Sequence, residues 1–323
     1  MIYIRRASKR SIIGSLTVLI CLLFFCLYCF SGSSLVEIQP IHDDHLVMTA
    51  VTQSNCCLNS NNGVWYITKT GLLQNRSTQD VCTKSAFVSQ MIPIGNDVAY
   101  TTISGKLYYS HGNESTMVAK GISTFGYYGS QLVYATVDGE IYAWQENESV
   151  LLITVEDDTI YGLMGNEDYL FIYGENLTIY HREYGLQSVD LYFSSSHAYF
   201  LYENKFVLIG NGKCGGIVYD PVAKTWTELN LGFSTNSHLN KISVVSDGRW
   251  IYLSLHSKLW RAFGNETNSN TYCIDPLDWS VEVLNGKFYP NLICGKEGLY
   301  KFDTFKGRGK LICRTANGLR EPS

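Results

Sequence analysis

A repeated hairpin pattern is the feature of this 323-residue sequence that most limits its fold. Three segments share a small residue, a charge, Leu or Ile, an aromatic residue and an Asn-Glu-Ser/Thr turn: Gly105–Ser115, Gly139–Ser149 and Ser257–Thr267. Each follows a second apolar run across a short polar link. Two short apolar runs joined by a turn are typical of a β-hairpin, so each unit predicts one.

Weaker copies of the hairpin begin at Val64, Tyr169, Lys205 and Gly286, which makes seven units. A marker residue at one position of each second strand recurs every 34 to 41 residues: Leu73, Tyr108, Tyr142, Tyr180, Tyr219, Trp260 and Tyr300. Repeats of about 40 residues are typical of four-stranded propeller blades. The sequence therefore predicts an all-β propeller of seven blades. Six blades are the alternative, because the first unit lacks an aromatic marker.

Ring closure needs a strand that joins the two ends of the chain, since an open ring would leave exposed strand edges. Leu46–Val51 is the predicted donor, and it would complete the last blade beside Leu311–Arg314. A disulfide between Cys56 or Cys57 and Cys313 could then hold this seam.

One unit resembles a kelch repeat. Its residues run from Gly215-Gly216 through Tyr219-Asp220-Pro221 to Trp226, and Tyr272 to Trp279 echoes the second part without the double glycine. The resemblance implies a propeller whose middle strands are Phe206–Gly210 and Ile217–Asp220, with Trp226–Leu229 outermost. Kelch-like propellers serve many functions, so no particular activity follows.

The N-terminus carries a membrane signal. Arg5, Arg6, Lys9 and Arg10 precede nineteen uncharged residues, 12–30, which is long for a signal peptide and suits a spanning helix. The positive-inside rule then predicts a type II protein with a cytoplasmic tail (1–11), a signal-anchor helix (12–30), a short stem (31–45) and a β-propeller ectodomain (46–323). Cleavage after the small residues near Ser31 is the alternative, and it would give a secreted protein.

Export sets the chemistry expected of the cysteines and the asparagines. Most exported thiols should pair in an oxidising compartment, and the candidates are Cys56, Cys57, Cys82, Cys273, Cys294 and Cys313. Five sequons predict N-glycosylation in exposed turns, at Asn75, Asn113, Asn147, Asn176 and Asn265.

Composition narrows the function classes. Hydrophobic residues make up 46% of the chain, and the formal charge is −4 with no basic run beyond the N-terminus, which argues against a nucleic-acid partner. The run His42 to His45 and the acidic run Glu156 to Asp158 are interpreted as solvated segments, so we expect no metal site. We also expect no cofactor and no catalytic residue. The marker tyrosines are expected to fill the gaps between blades, not to form a glycan-stacking surface.

The prediction is therefore a glycosylated recognition protein that presents loops to a protein or glycan partner. The alternative is a propeller glycan hydrolase such as a sialidase-like enzyme, although no spacing of the exported arginines identifies the arginine triad of that class.

The topology can be tested by protease protection on microsomes. Because the cationic residues stay cytoplasmic, the chain from Leu35 onward should be shielded. Digestion of that portion would contradict export, and sequencing of the mature N-terminus would separate an anchor from a cleaved signal.

Overall fold

The computed structural model describes residues 38, 46–49, 57–60, 63–68, 70, 72–82, 87–155, 159–189, 198–210, 215–232, 237–261, 264–304 and 306–314. The first strands are β1 (Leu46–Thr49), β2 (Cys57–Ser60), β3 (Gly63–Ile67), β4 (Leu73–Asn75), β5 (Val81–Cys82), β6 (Val88–Ile94), β7 (Asp97–Thr102), β8 (Lys106–His111), β9 (Glu114–Lys120), β10 (Ile122–Tyr128), β11 (Gln131–Thr136), β12 (Glu140–Gln145) and β13 (Glu148–Thr154). The remaining strands are β14 (Gly162–Gly165), β15 (Tyr169–Tyr173), β16 (Leu177–His181), β17 (Gly185–Val189), β18 (Ala198–Tyr202), β19 (Lys205–Ile209), β20 (Gly215–Asp220), β21 (Thr225–Asn230), β22 (Ser237–Ser246), β23 (Ile251–Arg261), β24 (Gly264–Ile274), β25 (Val281–Asn285), β26 (Leu292–Gly295), β27 (Gly298–Asp303) and β28 (Arg308–Arg314).

The strands form seven antiparallel sheets, six of them built from consecutive strands and the seventh from β18 to β21 with β1 added. They are the blades of a seven-bladed propeller, numbered 1 to 7 from β2 onward, so the predicted fold and blade number are confirmed. Blades 1 to 4 and blade 6 each have four strands in sequence order, blade 5 has five, and the described part of blade 7 has three, β26 to β28. In every blade except blade 5, the first strand is the innermost.

Antiparallel order defines two faces of the ring. Face A carries the turns between the first and second strands and between the third and fourth strands of each blade. Face B carries the turns between the second and third strands, and the connections from one blade to the next.

The hydrophobic core lies between the blades. Seven buried clusters occur among the described residues, and each fills one gap between neighbouring blades. In blade 2 the marker Tyr108 stacks on Tyr100, with ring centroids 5.4 Å apart, and both rings pack with Trp65 and Leu73 of blade 1. The expectation that the marker aromatic residues fill the gaps is confirmed at this position.

The inner strands approach one another so closely that some positions accept only glycine. A Cβ atom on Gly126, in the first strand of blade 3, would lie 1.9 Å from the backbone oxygen of Leu163 in the first strand of blade 4. On Gly162, in blade 4, a Cβ would overlap the hydroxyl of the buried Tyr199 of blade 5. Glycine therefore sets the distance between blades next to the axis.

The predicted closing strand was wrong. β1 does not join blade 7 but pairs antiparallel with β18, with Leu46 opposite Tyr202 and Thr49 opposite Tyr199. It adds a fifth strand to the inner edge of blade 5, because the backbone groups of that edge also offer a place for pairing. Leu46–Val51 is apolar enough for either edge, so the sequence could not distinguish them.

The gap between blades 7 and 1 is closed by side chains instead. Ile38 is buried there with Val64, Ile293 and Phe302, and the rings of Tyr66 and Phe302 meet edge to face at 5.7 Å. The predicted stem thus contributes a core residue.

The repeat alignment was displaced by one strand in the last two blades. In blade 6, the two segments predicted as separate strands form the continuous strand β23. Blades 2 and 3 turn at Gly105 and Gly139, whose φ angles are +70° and +79°, whereas blade 6 has Ser257 at this position and the strand continues. In blade 7, the marker Tyr300 likewise lies in the second strand and not in the third.

The order of β18 to β21 in the kelch-like unit is as predicted, with β21 outermost, while β1 lies on the inner side of β18. Gly215 has a φ of +99°, and a Cβ on Gly216 would press against Leu229 at 3.2 Å, so the double glycine has a local cause. Trp226 was expected between blades, but its side chain is 36% exposed and packs on Tyr219 of its own blade at 4.4 Å.

The predicted signal-anchor helix, the tail and most of the stem lie outside the described residues. Within the residues that the structure describes, no helix has the length and apolar character needed to cross a membrane.

The close approach of the inner strands can be tested with two glycine variants. Gly126→Ala should lower the free energy of unfolding by about 1–3 kcal/mol, because the added methyl group meets the backbone of the next blade. Gly286→Ala is the control: the nearest atom to its Cβ is 3.9 Å away, and we expect a change within about 0.5 kcal/mol. Equal midpoints in guanidinium titrations would contradict the packing described.

Candidate functional site

Three neighbouring blades project apolar side chains into solvent from the same turn on face A. These are the turns between the third and fourth strands of blades 4, 5 and 6, and the side chains are Tyr184, Val222 and Leu277. Their exposed fractions are 69%, 69% and 91%. We call these three residues the apolar rim.

Two of the rim turns are built in the same way. In blade 5, Asp220 precedes Pro221, and its Oδ1 accepts hydrogen bonds from the backbone N–H groups of Val222 and Ala223, at 2.9 and 3.0 Å. In blade 6, Oδ1 of Asp275 accepts the N–H of Leu277 at 2.9 Å. An Asp side chain that bonds the backbone two residues on stabilises a tight turn. Each turn thus holds an aliphatic residue at its outer tip.

A cavity of about 300 Å³ lies on face A between blades 4 and 5, beside the rim residues Tyr184 and Val222. Its lining comes from the second, third and fourth strands of blade 4 and from the rim turn of blade 5: Tyr169, Ile179, His181, Tyr184, Gln187, Pro221, Val222 and Lys224. Ile179 and Pro221 are buried, whereas Gln187 and Lys224 are exposed. The cavity thus combines buried apolar residues with polar side chains open to solvent.

Three aromatic rings form one wall of this cavity. His181 stacks on Tyr184 with ring centroids 4.6 Å apart, and Tyr169 lies 5.0 Å from His181 at a tilt. The backbone N–H of Glu183 donates to Nδ1 of His181 at 3.1 Å, so the proton of the neutral imidazole is on Nε2. Burial, and then the charge of Asp168, raises the pKa of Tyr169.

Lys224 is the cation among the residues that line the cavity. It has a φ of +54°, a left-handed conformation that is uncommon for a residue other than glycine. The nearby carboxylate of Asp220 is occupied by its own turn. Trp279 has a φ of +61° at the same position of the blade 6 turn, so the left-handed conformation belongs to this kind of turn.

Turns of face A are also bonded to one another nearer the axis. The N–H of Gly129 in blade 3 donates to the backbone oxygen of Asn166 in blade 4, at 2.8 Å. Nδ2 of Asn166 donates to the backbone oxygen of Glu203 in blade 5 at 2.9 Å, and it also contacts Asn204. These bonds fix blades 4 and 5 relative to each other beneath the cavity.

The sequons occupy different surroundings. Asn113 and Asn147 are exposed in the turns between the third and fourth strands of blades 2 and 3, on face A, and Asn176 is exposed on face B. Asn75 is fully buried, and its Oδ1 accepts the N–H groups of Ser77 and Thr78. In the folded form this amide is therefore not accessible to a glycosyltransferase.

Asn265 was predicted at the same repeat position as Asn113, which was wrong. It lies at the tip of the hairpin between β23 and β24, on face B. Glycosylation of the sequons stays a prediction.

Three of the candidate cysteines meet in the gap between blades 6 and 7. Cys294 is buried there, and Cys273 and Cys313 are half-buried free thiols packed against the same cluster. Burial, and then Asp247, raise the pKa of Cys273 to about 12. Cys82 lies between blades 1 and 2, with its Sγ 3.0 Å from Oγ of Ser110.

Cys313 is a free thiol, so the predicted seam disulfide with Cys56 or Cys57 is not formed in this structure. The cysteine at 56 lies outside the described residues, and Cys57 is placed by its backbone at the start of β2. The run from His42 to His45 and the run from Glu156 to Asp158 are also outside them. Within the described part of the chain, no group of three His, Cys, Asp or Glu residues could hold a metal ion.

Sequence reasoning missed the cavity. Its lining residues run from Tyr169 to Lys224 and come from two blades, and those of blade 4 belong to no recognisable motif. The repeated Asp-Pro-aliphatic sequence of blades 5 and 6 was the available signal, but a single sequence does not show that Tyr184 lies beside it.

No protein-family model and no curated protein sequence matches the chain. Solved structures resemble it. The computationally designed Ika8 protein superposes with a TM-score of 0.50 at 11% identity, over 86% of this chain and 96% of that one. BamB from Moraxella catarrhalis gives a TM-score of 0.45 at 12% identity, over 85% and 98% of the two chains. The tricorn protease gives 0.38 at 8% identity over 78% of this chain, which spans only 27% of that protein's length. At such identities the similarity concerns the fold alone.

The state of the thiols can be tested by alkylation of the native full chain at pH 8. Because burial raises their pKa, Cys273 should react slower by about two orders of magnitude than in the chain unfolded in guanidinium, and Cys313 should also react more slowly than in the unfolded chain. Peptide mapping measures both rates. A disulfide-linked peptide that contains either residue, found without reductant, would contradict the free thiols.

Proposed function

We propose that this protein is an extracytoplasmic recognition protein that binds a partner macromolecule through face A of blades 4 to 6. The observation that carries the proposal is the apolar rim beside a partly apolar cavity. Monomeric proteins seldom expose grouped apolar side chains without a binding role. Loops held by a rigid scaffold are a common place for binding residues.

The placement of the sequons supports this surface. The equivalent face-A turns of blades 2 and 3 contain Asn113 and Asn147, whereas those of blades 4 to 6 contain the rim residues and no sequon. Glycans on blades 2 and 3 would cover that side of face A and leave the rim accessible. The export that glycosylation requires rests on the predicted signal-anchor at 12–30, which also makes a type II membrane protein part of the proposal.

The hydrolase alternative would need a cluster of arginines, and Arg182 and Arg249 do not form one. Arg182 of blade 4 lies over the ring of Tyr128, and Arg249 of blade 6 lies over that of Trp250, each about 5 to 6 Å from the ring centroid. These two side chains lie on separate blades, each against a different ring. We therefore propose binding and no hydrolysis.

The proposal is tested by flow cytometry with the labelled full chain, purified in detergent, on a panel of cultured eukaryotic cells. The variant Val222→Ser/Leu277→Ser should reduce cell binding at least about fivefold, because apolar contacts at the centre of an interface dominate affinity. The control Ile103→Ser/Val137→Ser changes side chains that are 74% and 75% exposed in turns of face B, and it should bind as the parent does.

Equal binding by the two double variants would contradict a role for face A. Failure of the parent chain to bind any cell of the panel would contradict the recognition function itself. Unfolding midpoints of all three proteins check that the exposed substitutions leave the fold intact.

A further inference from the structure

We infer that the cavity between blades 4 and 5 binds one pyranose ring of a glycan, which stacks on the aromatic wall formed by Tyr169, His181 and Tyr184. This inference rests on the proposed recognition function and names the chemical class of the partner. It assigns a carbohydrate subsite to this surface.

The size of the cavity limits the ligand. Ligand sites in proteins enclose about 300–1,000 Å³, so a cavity of about 300 Å³ belongs at the lower end of that range. It therefore suits one ring of a longer molecule, whose remainder would extend over the exposed rim residue Val222 or Tyr184.

The aromatic wall suits the apolar face of a sugar. Tyr184 is 69% exposed and is supported from behind by the stacked ring of His181, so its orientation is held while a large part of its surface stays open. The face of an aromatic ring is negative, and it attracts the weakly positive C–H groups of a pyranose. Tyrosine also provides contact area with few rotatable bonds, so little conformational entropy is lost on binding.

The polar lining distinguishes a sugar from an apolar peptide side chain. His181, Tyr169, Gln187 and Lys224 all contribute hydrogen-bonding groups to the lining. A polar group that loses its bonds to water under a ligand, and gains no hydrogen bond in exchange, costs free energy. The hydroxyl groups of a pyranose can pair with these four side chains, whereas a Leu or Phe side chain from a partner protein would cover them without replacing their bonds to water.

The charge of Lys224 bears on whether the bound sugar is neutral or acidic. Lys224 can donate to the hydroxyl of a neutral sugar or pair with the carboxylate of an acidic one. Both ligands share the pyranose ring that the aromatic wall recognises. The acidic residues around the cavity, Asp168, Glu183 and Asp220, oppose an acidic ligand, so we expect the neutral pyranose to bind more tightly.

The inference is tested on an array of immobilised oligosaccharides that end in neutral or acidic pyranoses, probed with the labelled full chain. Tyr184→Ala should reduce the signal of the best ligand at least tenfold, and Tyr184→Phe should restore it, since the phenyl ring keeps the stacking surface. The matched control is Tyr161→Ala. This tyrosine is 50% exposed and lies on face B of the same blade, and its loss should leave the signal unchanged.

Lys224→Met separates the two kinds of sugar. It should lower the signal of acidic ligands at least tenfold and that of neutral ligands less than threefold. An array on which only acidic sugars bind would overturn the expected order of affinity, and loss of neutral and acidic binding alike would overturn the role given to Lys224.

A failure of the inference can be distinguished from a failure of the proposed function. If the chain binds no array glycan, while cell binding remains sensitive to Val222→Ser/Leu277→Ser and survives enzymatic removal of cell-surface glycans, the partner is a protein and the glycan inference is overturned. If array binding occurs but Tyr184→Ala leaves it intact, the sugar binds elsewhere and the cavity is excluded. If cell binding is also insensitive to the rim variant, both proposals fail.

Discussion

The close packing of the innermost strands around the axis is the constraint on which the rest of this structure depends. Gly126 lies against the backbone of Leu163, and Gly162 lies against the ring of Tyr199, so at both positions the next blade leaves no space for a Cβ atom. A tight centre makes the blades diverge outward, and the gaps that open are filled by seven separate hydrophobic clusters. Each blade is thereby held on both sides, and its turns are carried on a rigid frame.

The proposed recognition surface follows from this frame. The turn of blade 5 and the third strand of blade 4 can form one cavity because the inner strands and the bonds of Asn166 fix the two blades together. The Asp-Pro turns then need only local hydrogen bonds to project Val222 and Leu277. A binding site on such turns can change in sequence without loss of the core, which is a common division of roles in propellers and other superfolds.

The sequence predicted the fold well where turn chemistry was explicit. Gly105 and Gly139 adopt the left-handed conformation that ends a strand, so the hairpins of blades 2 and 3 could be read directly. Ser257 has the small size of those glycines but not their conformational freedom, and the alignment failed there. The strand that β1 pairs with and the cavity beside Tyr184 could not be predicted, because both depend on which distant segments of the chain meet in the ring. The cavity in particular joins residues of two blades whose sequences look ordinary one at a time.

The most direct test of the account is hydrogen–deuterium exchange of the full chain with and without saturating amounts of the array glycan that binds most strongly. The account predicts slower exchange confined to the lining of the cavity, which comprises Tyr169 and residues 179–187 of blade 4 and residues 219–224 of blade 5. Unchanged exchange in both stretches, or protection centred on the hairpin of β23 and β24 on the opposite face, would contradict it.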